Sequence, residues 1–167
     1  MRNVTDDFVD FLVSVSQKPL NKKLSHEAVR CIVDYLGVLY AGKGLMGHQA
    51  DKLVNQFSTI NERGAQVFGF VKRTNPESAA FLNGYISHAV ELDDGVNSGI
   101  VHPGTPVLSA LFSFAESRNV SEEQFFRGII VGYEATIRLA NAIQPSHKKL
   151  GFHATGTVGA IGATAGI

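Results

Sequence analysis

The sequence predicts an all-α fold in the main, a helical bundle with at most one or two short strands. Apolar residues recur every three or four positions through most of the chain, the period of a helix with one buried face. Helix starts are marked by Asn75-Pro76, by Thr105-Pro106 and by the Ser121-to-Gln124 capping box. Only Gln66-Val67-Phe68-Gly69-Phe70 has the alternation of a strand, and one strand cannot make a sheet. At 167 residues the chain is expected to form one domain.

From Thr5, Phe8, Phe11, Leu12 and Val15 give a first amphipathic helix, with Asp6 and Asp7 in its first turn, where the helix dipole favours negative charge. Pro19 and Asn21 break it. Ser25 is the expected cap of a second helix with Val29, Ile32, Val33, Leu36 and Tyr40 as its apolar face, ended by Gly42 and Gly44. A weaker helix is expected over His48–Phe57. Asn75-Pro76 opens a helix that leads into the acids Glu91, Asp93 and Asp94, and a glycine-punctuated loop follows. Thr105 to Ala115 has almost no polar face and should be central. Burying Val107, Leu108, Leu111 and Phe112 alone is worth about 6–12 kcal/mol at roughly 1.5–3 kcal/mol each. Ser121 then caps a helix to about Ile143, stopped by Pro145. A polar loop carries His147, Lys148 and Lys149. Beyond His153, the Ala/Gly-rich run with Gly156, Gly159, Gly162 and Gly166 reads as a helix packed closely on a large neighbour, since glycines otherwise weaken a helix.

Composition narrows the function. Fifteen basic and fifteen acidic residues, scattered without runs, give a net charge of zero and no basic patch for nucleic acid or anionic membrane. The single cysteine, Cys31, lies on an apolar helical face and cannot build a disulfide framework, which fits a reducing compartment. With no apolar run near 18 residues and no signal-peptide core, the expected location is cytoplasmic.

The chemistry concentrates between Asn83 and Thr105. Glu91, Asp93 and Asp94 stand at a helix C-terminus, where the dipole disfavours negative charge, so a cation or a proton should offset them. Like charges also raise a carboxyl pKa and suit it to proton exchange. The plain reading is a solvated turn. His102 could act with these acids as a general acid/base pair, against the plain reading of a surface histidine. His153 precedes a helix start marked by Thr155 and Thr157, whose free N–H groups would attract an anion; packing on Phe152 is the alternative. His88 reads as a hydrogen-bonded core histidine, and His26 and His48 as surface residues. His88, Asp93, His102 and His153 have no metal-motif spacing, so no metal is expected. The glycines after Gly156 make no dinucleotide fingerprint, and no nucleophile motif occurs.

These residues are similar, block by block, to the MmgE/PrpD family, which includes 2-methylcitrate dehydratases, cis-aconitate decarboxylases and iminodisuccinate epimerases. The blocks are Asn83-Gly84, His88-Ala89-Val90-Glu91-Leu92-Asp93-Asp94, His102-Pro103-Gly104, Gly132-Tyr133-Glu134, and Gly151-Phe152-His153 with Thr155-Gly156-Thr157. They run in order from about Asp6 to Ile167. The resemblance implies a mainly helical domain, of which residues 1–167 form the N-terminal portion, together with an α+β lid contributed by further sequence and a homodimer. It implies no cofactor and usually no metal. Its activity would be proton transfer next to a carboxylate of a small di- or tricarboxylate, by dehydration, decarboxylation or epimerisation. His102, His153, Asp93 and Asp94 would be catalytic, and Glu91, His88, Thr155 and Thr157 would bind substrate. Gly95 stands where the family often has Thr, and Glu91 where some members have Asp, so the choice of reaction stays open.

The pattern stops at Ile167 without a cap, from which a fragment or one subunit of a split enzyme is expected, needing a second copy or a companion polypeptide for activity. The competing expectation is an inert helical module that serves as an assembly partner.

Overall fold

The computed structural model describes residues 3–57 and 64–167. Asn3 and Asp6 form a capping box that starts α1 (Val4–Ser16). Asn21 accepts from the Leu24 N–H at 2.9 Å and starts α2 (Lys22–Met46). Ser25, the expected cap, therefore lies inside the first turn. Gly42 and Gly44, expected to end α2, lie within it, and Gly47 with φ +50° caps it instead. Gly42 is needed for proximity: a β-carbon there would sit 1.9 Å from the Ile86 carbonyl oxygen. The buried face of α2 also differs from the expected one. Ala28, Tyr35, Val38 and Leu39 face the core, whereas Val29, Val33 and Tyr40 are exposed. Tyr35 can be buried because its hydroxyl meets Ser109 Oγ at 2.8 Å.

α3 (His48–Phe57) has the predicted bounds. The strand expected over 66–70 shortens to β1 (Ala65–Gln66), paired antiparallel with β2 (Arg73–Thr74) in the register Ala65–Thr74. The chain turns after Gln66 because the buried Asn83 carboxamide clamps it, accepting from Phe68 N–H at 2.9 Å and donating to the Gln66 carbonyl at 3.0 Å. Asn75 caps α4 (Pro76–His88), accepting from Ser78 N–H at 2.7 Å.

The next helices are α5 (Gly104–Ser117), α6 (Glu122–Ile143), the single-turn α7 (Ser146–Lys149) and α8 (Ala154–Gly166). As its apolar sequence predicts, α5 is central: it packs on α2, α4, α6, α8 and β1, and Val107 and Leu108 are fully buried. α6 starts at the predicted Ser121 capping box. α7 replaces the polar loop expected at His147–Lys149.

The glycines of α8 pack on those of α6. Gly162 lies against Thr136 and Gly132, and Gly166 against Gly128. That contact, with α4 and α8 both on α5, brings the start of α8 beside the loop at 89–103. Mainly helical with one two-residue strand pair, the molecule has the predicted fold class among its described residues. No described helix is long and apolar enough to cross a membrane.

Candidate functional site

α4 ends at His88, so Glu91, Asp93 and Asp94 lie in the loop beyond it and not on its last turn. The loop folds back, and the two aspartates meet the N-terminus of α5. Asp94 Oδ1 accepts from the Gly104 N–H at 2.8 Å, and Asp93 Oδ2 accepts from the Thr105 hydroxyl at 2.7 Å. The unfavourable charge predicted from the end of α4 is thus offset by another helix, whose free N–H groups and dipole favour carboxylates. This also corrects the expected start of α5: Thr105 is no cap, because Asp94 satisfies the helix from across the loop.

Asp94 is further held by Tyr133 of α6, whose hydroxyl donates to Oδ2 at 2.6 Å. Burial raises the Asp94 carboxyl above the usual carboxylate range; the Tyr133 and Gly104 hydrogen bonds pull it down, and the Asp34 and Asp93 charges add to the rise. Burial thus outweighs the like-charge effect expected from sequence. It likewise pushes up the Tyr133 phenol and the Cys31 thiol beside it.

Asp93, with a side chain only 2% exposed, is the hub of a histidine cluster. His88 Nδ1 lies 3.0 Å from both of its carboxylate oxygens. His102 Nδ1 donates to the Asp93 carbonyl at 3.1 Å and lies 3.4 Å from Oδ1. The His102 N–H donates to Thr155 Oγ1 at 3.0 Å, tying the loop to α8. His153 caps α8: its Nδ1 accepts from the Thr155 N–H at 3.2 Å. The three rings form a triangle, with centroids 5.3 Å apart for His88–His102, 5.9 Å for His88–His153 and 6.4 Å for His102–His153.

These partners determine where the ring protons sit. A carbonyl only accepts, so His102 carries its proton on Nδ1 and, when neutral, leaves Nε2 as a bare base. A backbone N–H only donates, so neutral His153 carries its proton on Nε2 as a donor. The two histidines therefore offer opposite halves of a proton-transfer pair.

Glu91 is exposed, with Oε1 3.4 Å from His88 Nε2, and its backbone is left-handed at φ 52° without a glycine. Thr155 is buried beside His102. Thr157 sits elsewhere, its hydroxyl 2.8 Å from His147 Nε2. The structure thus brings together His88, Glu91, Asp93, Asp94, His102, His153 and Thr155, and leaves Thr157 apart. Thr105 and Tyr133 are site partners that spacing did not single out; the Gly132-Tyr133-Glu134 block was the available signal for one of them.

Beside the cluster lies a groove of about 860 Å³ whose wall includes His88, Thr105 and Thr155 and continues over apolar Met46, Phe81 and Tyr85.

Comparison with known proteins identifies the family. A family model for the MmgE/PrpD N-terminal domain matches residues 6–167. A cis-aconitate decarboxylase-like protein of Aspergillus oryzae is 27% identical over 149 residues, covering 84% of this chain and 30% of that protein. The cis-aconitate decarboxylases of Mus musculus and Homo sapiens are 24% and 26% identical over 173 aligned positions, covering 99% of this chain and 35% of each. The chain spans about a third of the length of the curated relatives it matches.

Proposed function

The chain belongs to the MmgE/PrpD family, and we propose that its histidine–carboxylate cluster is one wall of a lyase or isomerase site for a small di- or tricarboxylate. The observation that carries this reading is the pair of hydrogen bonds at the two Nδ1 atoms, from which follow a base at neutral His102 Nε2 and a donor at His153 Nε2, with ring centroids 6.4 Å apart. Abstraction of a proton next to a carboxylate, or protonation of the carbanion left by loss of carbon dioxide, needs such a pair. Asp93 orients His88 and His102. Asp94 is a positioning residue that fixes the loop on α5 through Gly104 and Tyr133. His153 and the nearby Thr155 hydroxyl hold a substrate carboxylate. The names of the relatives favour decarboxylation of cis-aconitate or a similar tricarboxylate over the other reactions.

Beyond His88, Thr105 and Thr155 the groove is mostly apolar, which supports completion of the pocket by further polypeptide, from a second copy or a companion segment, that supplies cationic partners for the remaining carboxylates. The test uses the assembled protein with a panel of di- and tricarboxylates including cis-aconitate. It follows deuterium incorporation from D2O and release of carbon dioxide. His102→Ala should lower the proton-transfer rate by about 10²–10⁴-fold, the usual contribution of a positioned acid or base. If His102→Ala and His153→Ala both leave substrate binding and turnover unchanged, the reading fails.

A further inference from the structure

We propose that Gly95 is a specificity-determining residue of the histidine site, and that the site takes a polycarboxylate with an alkyl substituent on the carbon facing His102. The inference rests on the reading of His102 as the base. Glycine is called for where the backbone is left-handed, where another group comes too close for a β-carbon, where a segment must hinge, or where the backbone meets a ligand. The first three do not hold at Gly95. Its backbone is not left-handed. A β-carbon there would lie 3.8 Å from His102 Cε1 and 3.9 Å from Nδ1, which is ordinary contact. The residues on both sides are pinned: Asp94 by the Gly104 N–H and the Tyr133 hydroxyl, and Val96 by its own N–H, which donates to the Val101 carbonyl at 2.9 Å. The nearby glycines differ, since a β-carbon would come within 2.9 Å of Ala140 at Gly99 and within 2.7 Å of Asp94 and Tyr133 at Gly104.

What remains is a ligand. Cε1 is bonded to both ring nitrogens of His102, so the space that Gly95 leaves open adjoins Nε2, the base. Gly95 is exposed, so that space opens outward. A side chain there would stand against the imidazole where the carbon that gives up or receives a proton has to approach. The bordering atoms also set the chemistry of the occupant. Nδ1 is committed to the Asp93 carbonyl at 3.1 Å and Cε1 is a carbon, so a hydroxyl or carboxylate would find no partner on this edge of the ring. An alkyl group needs none. It is of methyl size or larger, because the methyl of an alanine at 95 would already fill the position next to the ring.

The test compares kcat/KM in the assembled protein for cis-aconitate and for its derivative methylated on a carbon next to a carboxylate. The wild type should turn over the methylated acid at least as well as cis-aconitate. Gly95→Ala should lower the value for the methylated acid by about 10-fold or more relative to cis-aconitate, the usual effect of one methyl group in a confined pocket, and Gly95→Val should lower it further. Gly37→Ala, on α2 with nothing within 4 Å of its added carbon, should leave the ratio unchanged. Circular dichroism should show Gly95→Ala folded; an unfolded variant would make the glycine structural and overturn the proposal. So would a ratio unchanged in folded Gly95→Ala and Gly95→Val, or a wild type that turns over cis-aconitate alone or neither acid. If the ratio stays fixed while His102→Ala still lowers turnover, only the role of Gly95 falls; if His102→Ala leaves turnover intact, the reading of the site falls with it.

Discussion

Substituting one glycine at the α6–α8 crossing tests the packing that delivers His153 to the site. A β-carbon at Gly162 would lie 1.8 Å from Thr136 Oγ1 and 2.8 Å from the Gly132 carbonyl oxygen, where ordinary contact begins at 3.4 Å. Thr136 cannot simply turn away. It is fully buried, and its hydroxyl donates to that same carbonyl at 2.8 Å, so rotation leaves a buried donor unpaired and the backbone clash in place. Overpacking costs about 1–3 kcal/mol. An orphaned buried hydroxyl costs about 1–3 kcal/mol more. Against these stands the roughly 1 kcal/mol by which alanine outranks glycine in a helix interior. We therefore expect Gly162→Ala to destabilise by about 1–5 kcal/mol and to lower Tm by about 2–20 °C in thermal unfolding followed by circular dichroism. Gly37→Ala is the control: Gly37 is mid-helix in α2 and exposed, with nothing within 4 Å of its added carbon, so the same change should stabilise by about 0.5–1 kcal/mol. If the two variants shift Tm alike, the close approach of α6 and α8 is wrong, and with it the placement of His153 beside His102.

Three further outcomes follow from the loop and its supports. Because burial holds Asp94 above the usual carboxylate range, its contribution to stability is fully present below that range and is lost as pH rises through the folded pKa; Asp94→Asn should therefore flatten the fall in urea midpoint over that window, and parallel pH curves would contradict the assignment. Glu91 sits at φ 52°, which costs a side-chain-bearing residue about 1–2 kcal/mol, partly offset on mutation by the roughly 0.5–1 kcal/mol entropy cost of glycine. Glu91→Gly should thus raise stability by up to about 1 kcal/mol in chemical denaturation, and a clear loss would show that its contact with His88 matters more. Asn83→Ala leaves the half-buried Phe68 N–H and Gln66 carbonyl without this partner, at up to about 1–3 kcal/mol each, and should lower the urea midpoint; a neutral effect would mean that the turn after β1 reorganises freely.

The fold was legible where local chemistry decides structure. The Ser121 capping box, Asn75-Pro76, Pro145 and the bounds of α3 depend on neighbours within a few residues, and all stand as predicted. Errors came where distant packing overrode local rules. Gly42 looked like a helix terminus because glycine often is one, but here its missing side chain admits the backbone of α4. The apolar stripe of Val29, Val33 and Tyr40 looked like the core face, yet the core took the face carrying Tyr35, whose hydroxyl found Ser109 on α5. Thr105 looked like a cap, and was displaced by a carboxylate eleven positions earlier. Each involves a partner that sequence spacing does not show.

The site divides along the same line. Its residue types were visible as an acidic turn and two histidines, because acids and imidazoles are conspicuous in an apolar chain. Their roles were not, because backbone groups assign them: the Asp93 carbonyl makes His102 a base, and the Thr155 N–H makes His153 a donor. Side-chain identity at 93 and 155 does not determine either hydrogen bond; the path of the loop and the start of α8 do. That path is set in turn by Asp94 pinning Gly104 and by Tyr133 pinning Asp94, where an added carbon at Gly104 would come within 2.7 Å of both side chains. A substitution at Gly104 or Tyr133, neither of which touches a histidine, should therefore disturb the proton-transfer pair as much as a change at the imidazoles' own neighbours.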